Sequence, residues 1–135
     1  MTKTVAVFDY GSGNIHSACR ALEHAGAEVV LTSDRKALLE ADGMLLPGVG
    51  AFASVMRNLT KHNAANLVDQ RLTAGRAVLG ICVGMQLFSS EGHEEEITQG
   101  FGWVKGSVKK IKLNNKNLKL PHMGWNEVNI IKKNN

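Results

Sequence analysis

The sequence has 135 residues, of which 44% are hydrophobic, with 14 glycines, 2 prolines and a formal net charge of +4. This length fits one domain with a single core, and the composition is typical of a folded chain and excludes a disordered one. No apolar run is long enough to span a bilayer, and the first residues lead directly into a strand pattern without a secretory signal. We therefore expect one domain over residues 1–135, a cytoplasmic location and no membrane association.

The positive charge is concentrated at the C-terminal end. Residues 101–135 contain eight lysines and one glutamate, whereas residues 1–100 contain eight basic and 11 acidic side chains. A basic end can bind nucleic acid. However, these lysines alternate with apolar residues and include no arginine, which is typical of solvated strand faces that could meet an acidic partner. We expect no nucleic-acid partner.

The sequence offers little support for a disulfide, a metal or a nucleotide cofactor. Its two cysteines, Cys19 and Cys82, are expected to be reduced thiols. No Cys/His pair has the spacing of metal ligands, so no metal site is predicted. The Gly11-Ser12-Gly13 turn resembles the start of a phosphate-binding loop, but His16 occupies the position of the third glycine. We predict no cofactor.

Up to about residue 90, strand patterns alternate with helix patterns. Apolar and β-branched runs predict strands at Thr4–Phe8, 28–31, Gly43–Leu46 and 77–79. Helical spacing predicts helices at 15–25, at 35–40 with Ser33 or Asp34 as the cap, at 52–59 and at Ala64–Thr73. This alternation predicts an α/β fold with a doubly wound, mostly parallel sheet and flanking helices.

Beyond residue 90 the pattern changes to short antiparallel strands. Residues 91–96 are interpreted as a polar connection, and strands are predicted at 103–113, 118–120 and 126–131. Asn114 and Asn115 suit a hairpin turn between the first two.

Residues 80–84, Gly-Ile-Cys-Val-Gly, contain the clearest chemical signal. They follow an apolar run and precede a segment of helical character. A buried strand, a sharp turn and a helix start would place Cys82 at the apex, where a nucleophile elbow has its serine. Gly80 and Gly84 would leave room around the strained turn, and a helix N-terminus would favour the thiolate. The alternative is a buried cysteine between incidental glycines.

Residues 47–50, Pro-Gly-Val-Gly, could supply an oxyanion hole. Glycines after a strand let backbone N–H groups point at a developing oxyanion, and the amide of Val83 could add a second donor. The alternative is an ordinary turn between a strand and a helix. If the segment does form the hole, a peptide group within 48–50 that turns over to complete it is a further hypothesis.

A general base is harder to assign. The five histidines are His16, His24, His62, His93 and His122. None is predicted to face a carboxylate that would orient it. His93, beside Glu94, is interpreted as a solvated loop residue, and His122 as a structural or interface residue.

Four segments, in order along almost the whole chain, resemble the class I (triad-type) glutamine amidotransferases. Within that class they are most similar to the glutaminase subunits of imidazole glycerol phosphate synthases. The segments are 9–17, 46–52, 80–86 and 121–126. The first and last are specific to this subunit type, whereas the elbow is shared by the wider class. The resemblance implies the flavodoxin-like amidotransferase fold.

The resemblance also implies a reaction and a set of site residues. Cys82 would attack the side-chain amide of glutamine and form a γ-glutamyl thioester. The residues implied for the oxyanion hole are Val49, Gly50 and Val83. Those implied to contact bound glutamine are Gln86 and Glu94.

The partner implied by the resemblance is a (β/α)8-barrel cyclase, which forms a heterodimer with the glutaminase and uses its ammonia in histidine biosynthesis. The residues implied to lie toward that partner are Asn14, Met123, Trp125 and Asn126. The family also carries a His-x-Glu element near its C-terminus, in chains of about two hundred residues. We find no match to it and expect the sequence to stop before it.

Three other functions remain open from the sequence. The chain could dock on the cyclase without turning over glutamine, because the expected base is missing. It could be a paralogous glutaminase that feeds ammonia to a sugar-amidation pathway. It could also be a redox or hydrolytic cysteine protein of the same fold.

Overall fold

The structure is a computed structural model and describes residues 1–132. The elements in chain order are β1 Thr4–Phe8, α1 Ile15–His24, β2 Glu28–Thr32, α2 Arg35–Glu40, β3 Gly43–Leu46, α3 Phe52–Lys61, α4 Ala64–Thr73, β4 Ala77–Gly80, α5 Val83–Gln86, β5 Glu91–His93, β6 Ile97–Gln99 and β7 Ser107–Lys109. The predicted α/β order is therefore confirmed over the first two thirds of the chain.

The main sheet has four parallel strands in the order β2-β1-β3-β4. Its chain path moves outward from β1 to β2 and then returns across the sheet to β3. The order of the strands therefore reverses between β1 and β3. In open parallel sheets this reversal opens a crevice at the carboxyl ends of the strands, where ligands bind.

Alternate residues of the strands face opposite sides of the sheet, and one side carries the main core. Ala6 and Phe8 of β1 and Met44 and Leu46 of β3 belong to a buried cluster that includes side chains from α2, α3 and α4. On the opposite side, Leu22 of α1 lies beside the other strand positions. Helices on both sides confirm the doubly wound prediction.

Local signals explain two of the helix boundaries. Asp34 is the N-cap of α2, and its carboxylate accepts a hydrogen bond of 2.8 Å from the Ala37 N–H. Gly26 follows α1 with a φ of +89°, a conformation that glycine adopts without strain. Both boundaries agree with the sequence prediction.

The polar connection predicted at 91–96 is wrong. Residues 91–93 form β5, which turns at 94–96 and pairs antiparallel with β6, while β7 pairs parallel with β5. Gly92 at the centre of β5 is buried against Phe52 of α3. The strand is thus held by packing that the mostly polar sequence of residues 91–96 did not indicate.

The strands predicted at 118–120 and 126–131 are also wrong, and 103–113 contains only the three residues of β7. Residues 114–117 do turn, with the Leu118 N–H donating to the Asn115 carbonyl at 3.2 Å, but no paired strands flank that turn. The apolar residues of this region are exposed, Val128 at 88% and Ile130 at 75%. Alternation without a surface to cover did not produce a sheet. Among residues 1–132, no helix has the length and apolar character to cross a membrane.

Candidate active site

Three loops meet at the carboxyl edge of the main sheet. They follow β1 (residues 9–14), β3 (residues 47–51) and β4 (residues 81–82). Because these strands are parallel and adjacent, their carboxyl ends lie at one edge. All the residues that the sequence predicts for the nucleophile and the oxyanion hole are in or next to these loops.

Cys82 sits at the apex of a sharp turn between β4 and α5. Its φ of 56° and ψ of −125° are unusual for a residue with a side chain, and the residue is exposed. The turn is closed by the Gly84 N–H to the Ile81 carbonyl at 3.0 Å, and by the Met85 N–H to the Cys82 carbonyl at 3.0 Å. This is the geometry of a nucleophile elbow, since the strained turn presents the thiol to solvent.

The elbow requires the glycines on both sides of Cys82. A Cβ on Gly84 would lie 2.1 Å from the Leu46 carbonyl oxygen, and one on Gly80 would lie 2.6 Å from the Met85 Cα. A Cβ on Gly48 would lie 2.6 Å from the Gly84 backbone nitrogen. The chain of α5 therefore contacts the end of β3 directly, which brings the 47–51 segment beside Cys82.

The Val83 amide is occupied in this conformation. Its N–H donates to the Gly48 carbonyl at 3.3 Å. The peptide group joining Gly48 and Val49 is trans, so the Val49 N–H points away from the elbow, opposite to that carbonyl. The structure thus brings the 47–51 segment, which contains Val49 and Gly50, beside Val83 through Gly48. It does not aim the N–H groups of Val49 and Val83 at one point beside Cys82.

The loop after β1 fixes the 47–51 segment from the other side. The buried Tyr10 hydroxyl donates to the Pro47 carbonyl, and the Ser12 hydroxyl donates to the Val49 carbonyl at 3.4 Å. Gly13 lies against the Pro47 ring, because a Cβ at this position would be 2.7 Å from the Pro47 Cβ. Burial raises the pKa of the Tyr10 phenol, which therefore keeps its proton and remains a donor.

Gln86 and Glu94 line one cleft of about 350 Å³ with His93, Val108, Lys109 and Lys110. Gln86 lies on α5, four residues after Cys82, and its N–H donates to the Cys82 carbonyl at 3.1 Å. Glu94 lies in the β5–β6 turn. The structure therefore brings the two predicted glutamine contacts together, with acidic and basic side chains on the same cleft. Such a mixture suits the ammonium and carboxylate of an amino acid.

The interpretation of His93 as a solvated loop residue is wrong. His93 lies in β5, its side chain is 29% exposed, and its Nε2 is 2.7 Å from the Glu91 carboxylate. Two residues apart on a strand, both side chains project to the same face. His122 accepts from the Asn126 amide at 2.8 Å. Within residues 1–132, neither ring bonds to the Cys82 thiol.

The residues predicted to face a partner are exposed. Asn14 precedes α1 at the same edge of the sheet, whereas Met123 and Trp125 lie in the irregular C-terminal region, 86% and 103% exposed. Asn126 is exposed beside them. A contiguous group of exposed apolar side chains can mark a site of contact with another protein.

Sequence reasoning missed the contacts that position the site. Tyr10 was not singled out, although its place directly after a buried strand could have marked it as a residue facing the next loop. The Glu91–His93 pair could have been found from i, i+2 spacing in a short strand, had the strand been recognised. Among residues 1–132, no group of three or more His, Cys, Asp or Glu side chains could hold a metal ion.

The sequence model of the family described as "Glutamine amidotransferase class-I" matches residues 6–132. The chain is 52% identical to imidazole glycerol phosphate synthase subunit HisH of Corynebacterium efficiens, covering 95% of this chain and 59% of that protein. It is 44% identical to the subunit of the same name from Lactococcus lactis, covering 96% of this chain and 63% of the relative. The chain thus spans about three fifths of the length of these relatives.

A solved structure titled "Crystal structure of glutamine amidotransferase" superposes with a TM-score of 0.64 at 18% identity, covering 76% of this chain and 54% of that one. At this identity the likeness concerns the fold alone. The shared fold is consistent with the match to the family model, which covers residues 6–132. This chain therefore belongs to the class-I glutamine amidotransferases.

Proposed function

We propose that the protein is the glutaminase subunit of an imidazole glycerol phosphate synthase. It hydrolyses glutamine to glutamate and ammonia, and a (β/α)8 cyclase partner uses the ammonia to make imidazole glycerol phosphate in the cytoplasm. The two subunits form a heterodimer, and residues 1–135 lie within one amidotransferase domain. The relatives named as subunits of this synthase support the proposal.

The observation that carries the proposal is the strained, exposed Cys82 beside the 47–51 segment. In the proposed reaction, the Cys82 thiolate attacks the side-chain amide carbon of glutamine. The C–N bond breaks, the nitrogen takes up a proton and leaves as ammonia, and a γ-glutamyl thioester remains. Water then attacks the thioester, releasing glutamate and restoring the thiol.

The negative oxygen of the tetrahedral intermediate needs hydrogen-bond donors. We propose that the peptide group between Gly48 and Val49 turns over during the reaction. Its carbonyl would leave the Val83 N–H, and the Val49 N–H would turn toward the elbow. The hydrogen bond that this change would break, from the Val83 N–H to the Gly48 carbonyl, is long at 3.3 Å. Gln86 and Glu94 would hold the amino-acid end of glutamine in their shared cleft.

The test is glutamate release from glutamine by the purified protein, with and without the cyclase and its nucleotide ligand. Cys82→Ala should abolish release, whereas Cys19→Ala is the matched control, because Cys19 lies on α1 away from the three loops. The cyclase with its ligand should stimulate release.

Binding of the cyclase without any Cys82-dependent release would favour the second candidate, a docking subunit that does not turn over glutamine. The exposed Met123 and Trp125 are the observation behind that candidate, since they fit a docking surface whether or not the site is active. Release that feeds a sugar acceptor but not the cyclase would instead indicate the paralogous glutaminase.

A further inference from the structure

Glu94 makes a contact that a role in glutamine binding does not explain. Helix α3 begins at Phe52, directly after the 47–51 segment, and its N-cap residue Ala51 has no side chain that could accept a hydrogen bond. Glu94 supplies the missing acceptor from the β5–β6 turn, since its Oε2 accepts from the Phe52 N–H at 2.8 Å. A carboxylate at this position satisfies a free N–H and complements the helix dipole.

The packing around this contact holds the β5–β6 turn against α3. Gly92 is buried on the Phe52 ring, where a Cβ would lie 2.5 Å from two ring atoms. On the other side of the turn, Glu96 pairs with Arg57 of α3 at 3.2 Å. Glu94 therefore approaches the start of α3 from a turn that Gly92 packs against the Phe52 ring, with the exposed Arg57–Glu96 pair as a weaker second contact.

Glu94 also lines the cleft that contains Gln86. Among residues 1–132, its second carboxylate oxygen makes no hydrogen bond. The Glu94 carboxylate thus binds the Phe52 N–H, directly after the 47–51 segment, and also borders the cleft proposed for glutamine. The other end of this segment is fixed by the Tyr10 hydroxyl on the Pro47 carbonyl.

We propose that Glu94 is a positioning residue that fixes the C-terminal end of the 47–51 segment and links that segment to bound glutamine. This inference rests on the proposed function and deepens it. The ammonium of glutamine and the Phe52 N–H share one carboxylate, so an occupied cleft holds the carboxylate in the orientation that caps α3. The segment that supplies the oxyanion donors is then ordered when substrate is present.

Two substitutions at Glu94 separate the two contacts. Glu94→Gln keeps a side-chain oxygen that can accept from Phe52 but loses the charge that attracts an ammonium group. It should raise KM by about tenfold and leave kcat within about twofold. Glu94→Ala loses both contacts and should in addition lower kcat by about tenfold or more, because the segment is no longer fixed in the transition state.

The matched control is Glu95→Ala, which removes a carboxylate from the same turn. Glu95 is exposed and makes no hydrogen bond among residues 1–132, so kcat and KM should stay within about twofold of the wild-type values. A simple loss of negative charge near the cleft would instead affect Glu95→Ala and Glu94→Gln alike.

Amide hydrogen exchange at Phe52 gives a readout that does not depend on glutamine turnover. Exchange should be about tenfold faster in Glu94→Ala than in the wild type and nearly unchanged in Glu94→Gln and Glu95→Ala. Unchanged exchange in Glu94→Ala would overturn the inference, as would equal losses of kcat in Glu94→Gln and Glu94→Ala. A wild type without Cys82-dependent release would refute the proposed function, and the exchange result would then decide the inference alone.

Discussion

Replacement of Arg71 by methionine is expected to lower the free energy of unfolding by about 3–5 kcal/mol. The Arg71 side chain lies on α4 and is 0% exposed. Its guanidinium donates to backbone carbonyls at the end of α2, in the connection to β3 and at the start of β4: Leu38 at 2.6 Å, Ala41 at 3.0 Å, Ala77 at 3.0 Å, Leu39 at 3.2 Å and Asp42 at 3.4 Å. The single cation thus joins helix α4 to the end of helix α2 and to the start of strand β4.

The magnitude follows from what remains after the change. A hydrogen bond to a charged group contributes about 1.5–3 kcal/mol, so the three shortest bonds together contribute on the order of 5 kcal/mol or more. Burial opposes part of this, because removal of the guanidinium from water disfavours its charged form and lowers the pKa of Arg71. In addition, the Nε atom has no hydrogen-bond partner among the described residues. Methionine removes that burial cost but leaves the Leu38 and Ala77 carbonyls without this donor, whereas the Ala41 carbonyl keeps a hydrogen bond of 3.1 Å from the Arg76 guanidinium.

Chemical denaturation of Arg71→Met and the wild type measures the difference. Arg57→Met is the control, because Arg57 forms an exposed pair with Glu96 and should change stability by less than about 1 kcal/mol. At about 3–5 °C per kcal/mol for a chain of this size, Arg71→Met should lower Tm by roughly 10–20 °C. A loss under about 1 kcal/mol for Arg71→Met would refute the argument, since it would mean that the carbonyls find other partners.

Three further predictions concern the elbow and the edge of the sheet. Cys82→Gly should be more stable than Cys82→Ala by about 1 kcal/mol in thermal denaturation, because glycine relieves the positive φ and alanine does not; equal stability would contradict the strain. Gly84→Ala should lose about 3 kcal/mol or more, since its Cβ would lie 2.1 Å from the Leu46 carbonyl oxygen, and an unchanged denaturation midpoint would show that the elbow relaxes without cost. The hydrogen bond from the Thr4 N–H lowers the pKa of the Asp42 carboxyl, so the contribution of this carboxylate to stability is present at neutral pH and is lost as the pH falls below the usual value of 3.8. The difference in stability between the wild type and Asp42→Asn should therefore shrink over that range. A constant difference would contradict the linkage.

The sequence was sufficient to predict the structure of segments whose apolar residues recur with the period of a helix or of a strand. Strands β1 and β3 and helices α3 and α4 follow from apolar residues that each element buries against its neighbours. The cap at Asp34 and the strained turn at Cys82 follow from local chemistry. These signals act within a few residues of each other, which is why a single sequence reveals them.

Interactions between segments that are distant in the sequence could not be predicted from such local signals. Strand β5 is held by Gly92, which packs on the ring of Phe52, 40 positions earlier in the chain. The sequence of β5 alone is typical of a polar loop. The occupied Val83 amide depends on the direction of one peptide group in another loop. The strands expected at 118–120 and 126–131 do not form. Their apolar residues are largely exposed and do not pack against the hydrophobic core within residues 1–132, so the alternating pattern has no tertiary contacts to stabilise a sheet.

The central claim is that Cys82 is the nucleophile for glutamine. The most direct measurement is intact-mass analysis with peptide mapping of the protein quenched in acid during incubation with glutamine, which retains a thioester formed on the cysteine. We predict a γ-glutamyl adduct on Cys82 and none on Cys19, the other free thiol. An adduct on neither cysteine, in a preparation that releases glutamate, would contradict a covalent role for the elbow.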